Sequence, residues 1–183
     1  RRLVLDGAPG TRAVFQFSLP PGLNAMHATL ESNDHAVRVC RQPVPSLPST
    51  GALDIGPAND SFFSTGWHFA EDAGTQRFRW SRLTSTVRWR MDASAELRFI
   101  LPLRAAHANG ATIRASLNGV ALSSCTLPAG AWTDCRVNAP ASATRVGLNE
   151  LQLSADTVAP SDRQGDPREL AFVMQDGRVR VGK

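Results

Sequence analysis

The densest set of side chains able to do chemistry lies between Gly66 and Ser81, in Gly-Trp-His-Phe-Ala-Glu-Asp-Ala-Gly-Thr-Gln-Arg-Phe-Arg-Trp-Ser. Around one glycine turn it gathers Trp67, Glu71, Asp72, Arg77, Arg79 and Trp80. Indole faces stack on sugar rings, while carboxylates and guanidiniums hydrogen-bond hydroxyls, so this segment reads as a shallow glycan-binding surface. The alternative keeps Trp67 and Trp80 as core plugs, with Glu71 or Asp72 pairing Arg77 or Arg79. Glycoside hydrolysis is not expected from this carboxylate pair. It needs two carboxyls facing each other across a cleft, and adjacent residues on a strand point to opposite faces.

A second group, Asp166-Pro167-Arg168-Glu169-Leu170, places Asp166 and Arg168 two apart beside a proline. That arrangement braces a loop by an ion pair or lines the edge of the same site. Asp156, Asp162 and Asp166 supply the oxygens calcium prefers, without the spacing of a calcium loop, so calcium is an open option and no other cofactor is expected. Cys125 and Cys135 flank a Pro-Ala-Gly turn. The spacing predicts a disulfide across a hairpin, worth about 3 kcal/mol in the chain-entropy view, with two buried thiols as the alternative. Such a bond implies an oxidising compartment. Cys40 is left over and expected to be buried. His27, His35, His68 and His107 lack metal-ligand spacing. Hydrolase elbow, dinucleotide and zinc-protease signatures are missing, and Gly7 to Arg12 echoes a phosphate loop without its Gly-Lys ending.

The elements that must carry these residues are strands. The chain has 183 residues, 42% of them hydrophobic, enough for one packed domain. With 14 Gly and 12 Pro, about one residue in seven favours turns. Alternation at Arg77–Trp80, Val87–Met91, Glu96–Leu101 and Leu148–Leu153 has the period of half-buried sheet. It sets Phe78 and Trp80 on one face with Arg77 and Arg79 on the other. Asn118-Gly119 predicts a tight hairpin turn, and Asp176-Gly177 predicts a second. Further strands are expected within residues 12 to 40, before the Pro-rich stretch from Gln42 to Gly51. Residues 1–50 therefore read as N-terminal strands and a linker, either added to the sandwich or trailing a preceding domain. Residues 51–183 form the sandwich. No apolar run reaches the length of a membrane span. The start at Arg1-Arg2-Leu3-Val4 reads as an excised or processed piece. Arginine supplies nearly all the basic charge, but a net charge of +4 spread through strands does not predict nucleic-acid binding.

Several short motifs occur in a suggestive order: Gly66-Trp67, Glu71-Asp72, Arg79-Trp80-Ser81, Leu101-Pro102-Leu103, Leu117-Asn118-Gly119, Gly130-Ala131-Trp132, Gly147-Leu148-Asn149-Glu150-Leu151-Gln152-Leu153 and Asp166-Pro167-Arg168-Glu169-Leu170. Over residues 62 to 181 the sequence resembles the jelly-roll, galactose-binding-like β-sandwich domains appended to bacterial membrane glycosyltransferases and other cell-envelope enzymes. The resemblance implies an all-β jelly roll of two antiparallel sheets. It also implies a non-catalytic extracytoplasmic accessory domain, in the periplasm or at the cell surface. Its partners would be a glycan or lipid-linked saccharide and a membrane-embedded parent or partner enzyme. The site expected on this basis comprises Trp67, Glu71, Asp72, Arg77, Arg79 and Trp80, with Asp166 and Arg168 adjoining. A docking domain is the alternative, presenting Arg77, Arg79, Arg88 and Arg90 as one basic face. A polysaccharide-active enzyme ranks behind both.

Overall fold

The computed structural model describes residues 13–17, 26–30, 37–41, 44–57, 59–159 and 168–182. The chain divides into two compact units, Arg1–Pro43 and Val44–Lys183. In the first, β1 (Ala13–Phe17), β2 (Met26–Leu30) and β3 (Val37–Arg41) make an antiparallel sheet in the order β1-β2-β3. These are the strands expected before the proline stretch.

The second unit contains β4 (Ser46–Leu47), β5 (Ala52–Ile55), β6 (Trp67–Ala73), β7 (Gln76–Ser81), β8 (Thr84–Met91) and β9 (Leu97–Ala105). It continues with β10 (Ala111–Leu117), β11 (Val120–Leu127), β12 (Thr133–Ala139), β13 (Gly147–Ala155), β14 (Phe172–Met174) and β15 (Gly177–Val181). Among the described residues the only helical pieces are single 3-10 turns at Asp60–Phe62 and Ala141–Ala143. A five-stranded sheet runs β11-β10-β13-β8-β4. A seven-stranded sheet runs β5-β15-β9-β14-β7-β6, with β12 also paired to β9. The fold is an all-β jelly-roll sandwich: the alternation predicts the strands, and the resemblance implies the jelly roll.

Period two decides which side chains meet between the sheets. Val87 and Trp89 of β8, Ile113 of β10 and Leu151 of β13 project into one core with Phe99 and Leu101 of β9 and Val137 of β12. Trp89 is completely buried and meets the Phe99 ring edge-on at 5.5 Å. At the Asn118-Gly119 turn Asn118 adopts φ 51°, as the predicted hairpin requires. Its Nδ2 donates to Asn149 Oδ1 at 2.8 Å and its Oδ1 accepts from the Glu150 N–H at 3.1 Å, so the turn is locked onto β13.

Three expectations are corrected. The proline stretch is not merely a linker: β4 lies within it and pairs in parallel with β8, burying Leu47. Proline is tolerated there because β4 is an edge strand. Asp176-Gly177 does not close a hairpin, since β14 and β15 do not pair with each other. Both pair with β9, β14 opposite Leu103–Ala105 and β15 opposite Leu97–Ile100. Gly177 allows a close approach there: a Cβ at this position would lie 3.0 Å from Leu101 Cδ2. Finally, Cys125 and Cys135 are free thiols and form no disulfide. The turn between them carries the chain from β11 in one sheet to β12 in the other, so no hairpin joins the two strands. Burial, with a hydrogen bond to Cys125, pushes the Cys135 thiol far above its usual range.

Trp89→Ala should cost about 3–5 kcal/mol in urea unfolding. Trp89→Phe should cost markedly less, because the buried indole N–H has no acceptor and its loss is no penalty. Alkylation of the native protein followed by peptide mass mapping should modify half-buried Cys125 while Cys135 stays protected until the protein unfolds.

Candidate functional site

The β6–β7 hairpin turns at Gly74 (φ 64°), which sets Asp72 opposite Arg77 and Glu71 opposite Phe78. Its start is fixed by Gly66 at φ 78°, where a Cβ would fall 1.9 Å from the Thr84 carbonyl oxygen. A register shift between Trp67 and Ala70 then separates the two ends of the strand. Trp67 faces inward. Its ring packs edge-on against Phe63 and Phe172, and its Nε1–H donates to the Thr86 carbonyl at 3.0 Å. This indole is a plug between the sheets.

Strand β7 keeps the expected alternation, but the second of its two arginines points into the protein. Arg79 is only 3% exposed. Its Nε and Nη2 donate to the Pro57 carbonyl at 3.0 and 2.8 Å, its Nη2 also bonds Asp60, and its guanidinium lies 4.3 Å from the Phe63 ring centre. Burial pulls its pKa below the usual arginine range and the Asp60 carboxylate opposes that shift. The neighbouring Trp80 is thereby turned to the outer surface of the seven-stranded sheet. Phe78 shares that surface, with its ring edge-on to Trp80 at 6.1 Å.

The remaining expected residues are placed as follows. Arg77 grips Asp72 through Nε–Oδ1 at 2.6 Å and Nη2–Oδ2 at 2.9 Å, an exposed bidentate pair that holds the Asp72 carboxyl below its usual range. Glu71 is paired with Arg168, which ties the segment before β14 to β6. The same segment receives His68 Nε2 at the Glu169 carbonyl, 2.8 Å away. Asp166 and Asp162 lie outside the described residues. Asp156 accepts the Thr112 N–H at 2.9 Å. Among the described residues no three His, Cys, Asp or Glu side chains converge to hold a metal ion. The basic face of the docking alternative does not assemble: Arg79 is buried, Arg77 is paired, and Arg88 and Arg90 belong to the other sheet.

Strand pairing adds residues that the sequence reading did not select. Trp80 of β7, Val173 of β14 and Arg104 of β9 align in one transverse row, in which Val173 is buried and Trp80 and Arg104 are partly exposed. The Arg104 guanidinium lies over the Trp132 ring, 5.2 Å from its centre. Beside them is a hollow of about 380 Å³ bounded by Trp80, Arg104, His107, Ala129 and Gly130. One side of Trp80 is seated on Ala106, Ala159 and Leu170, which steadies the ring. Two partly exposed indoles beside a guanidinium make a surface suited to stacking on the C–H face of a sugar ring. The sequence signals were the Gly-Ala-Trp motif at Trp132 and the outward parity of Arg104 on β9. Neither shows that the two meet.

No family model matches the sequence, and no curated protein matches it. Several solved structures share its architecture at low identity. The C-terminal family 6 carbohydrate-binding module of LamC, a marine laminarinase from Zobellia galactanivorans, is 13% identical. That match covers 70% of this chain and 98% of the module, with a TM-score of 0.46. A carbohydrate-binding module of Cellvibrio mixtus lichenase 5A, in complex with cellotriose, is 12% identical over 72% of this chain and 98% of that one, with a TM-score of 0.45. A family 36 module in complex with calcium and xylotriose is 13% identical over 69% and 97%, with a TM-score of 0.43.

Because Arg79 is buried with its partners, Arg79→Ala should destabilise the protein by about 3–5 kcal/mol in urea unfolding. Arg77→Ala, which breaks only a solvent-exposed pair, should leave the unfolding midpoint nearly unchanged.

Proposed function

We propose that this chain is a non-catalytic glycan-binding accessory module. The sugar would lie on the outer face of the seven-stranded sheet, at Trp80, Arg104 and Trp132. The observation that carries this reading is the outward row of Trp80 and Arg104 capped by Trp132, beside a hollow large enough for a sugar ring. The carbohydrate-binding modules of similar architecture include ones seen with cellotriose and xylotriose, which agrees with a glycan ligand. In this reading the Glu71–Arg168 and Asp72–Arg77 pairs border the site and hold the hairpin in place. Calcium, present in one of those modules, is a candidate cofactor in this reading.

The reading extends to an extracytoplasmic module that positions a cell-envelope glycan or lipid-linked saccharide for a membrane-embedded parent or partner enzyme. The motif order from Gly66 to Leu170 supports that setting. Among the described residues no helix is long and apolar enough to cross a membrane.

Titrating the protein with a panel of envelope and plant-type glycans should protect its indoles from acrylamide quenching. Trp132→Ala should weaken binding at least about tenfold, equivalent to roughly 1.4 kcal/mol, with the fold intact by circular dichroism. A panel that produces no protection overturns the proposal.

A further inference from the structure

The charge pattern of this face selects among glycans. Carboxylates of this sheet are already engaged: Glu71 by Arg168, Asp72 by Arg77, Asp134, opposite Pro102 on β9, by Arg136 at 3.8 Å, and Glu169 by the Leu83 N–H at 2.6 Å. Arg104 differs. Among the described residues no carboxylate lies within 4.0 Å of it, and the residues lining the hollow include no acid. Its guanidinium is held on the Trp132 ring, which orients the planar group without neutralising it. His107 at the rim uses Nδ1 to accept the Asn109 N–H at 3.1 Å, leaving Nε2 as a further donor. A fixed guanidinium with free N–H donors matches the two oxygens of a carboxylate or of a sulfate ester.

The same surface continues this pattern along β9. Arg98, six residues from Arg104 and about 20 Å away along the strand, stands directly opposite Arg180 of β15. Like charges in directly opposite cross-strand positions destabilise a sheet. Glu96 approaches Arg98 at 3.6 Å, whereas Arg180 has no carboxylate within 4.0 Å among the described residues. A chain lying along β9 would therefore meet unsatisfied guanidiniums at both ends.

We infer that the ligand of this face is an acidic glycan, with one sugar ring against Trp80 and its carboxylate or sulfate on Arg104. The inference rests on the glycan-binding reading above and narrows it to a substrate class.

The test compares polygalacturonate with its fully methyl-esterified form, and dextran sulfate with dextran, by calorimetry on the full chain at two salt concentrations. The expected result is at least tenfold tighter binding of one acidic polymer than of its neutral counterpart, weakening with salt. Arg104→Gln should bring the acid-to-neutral ratio towards one, and Arg104→Lys should retain part of it. Whichever acidic polymer binds tighter identifies carboxylate or sulfate as the recognised group. Equal binding of acidic and neutral forms, or an acid preference that survives Arg104→Gln, overturns this inference while leaving glycan binding in place. Absence of binding to every polymer in this set and in the wider panel overturns both.

Discussion

The guanidinium of Arg79 sits beneath the seven-stranded sheet, against Phe63 and bonded to the Pro57 carbonyl and to Asp60. A strand has only two faces, so burying Arg79 forces Trp80 and Phe78 outward. Moving a cation out of water is costly, and the geometry offsets that cost with two acceptors and an aromatic face. Those acceptors depend in turn on the 3-10 turn Asp60–Phe62, whose start is capped by Asn59 Oδ1 accepting the Ser61 N–H. The outward display of the candidate site thus begins with a polar contact on the opposite side of the sheet.

Strand β9 converts that display into a site. It pairs with β12 along one edge and with β14 and β15 in succession along the other. This doubled pairing places Arg104 in register with Val173 and hence with Trp80, while the turn leading into β12 delivers Trp132 over Arg104. Ser81 fixes the register from inside. Its hydroxyl donates to the Phe172 carbonyl at 3.0 Å and accepts the Phe172 N–H at 3.1 Å. A slip of one residue between β7 and β14 would turn the outward row into the core.

The two sheets divide the work between them. The five-stranded sheet is anchored by residues such as Trp89 and by the Asn118–Asn149 contact, which fix the core and the hairpin. The larger sheet carries the aromatic and arginine side chains on its outer surface. Sequence distance is large between several partners, as between Glu71 and Arg168 or Ser81 and Phe172, so the site exists only when the whole sandwich has formed.

Local physics determined much of this from sequence alone. Alternation at β7, β8, β9 and β13 specifies strands because the side-chain period of a strand is two. Asn118-Gly119 specifies a turn because its backbone must enter the left-handed region. The phase of β7 was not legible in the same way. Alternation states which residues share a face without stating which face is buried, and Arg79 goes inside only because Asp60 and Pro57 wait there. Asp176-Gly177 and the two cysteines misled for a related reason: neighbours in sequence were expected to pair locally, whereas β9 and the opposing sheets claimed those strands. Trp132 and Arg104 meet across the β9–β12 pairing, a long-range hydrogen-bonded register that no local pattern encodes. Short-range sterics and polarity chose the strands; the non-local pairing of those strands decided which side chains face the solvent together.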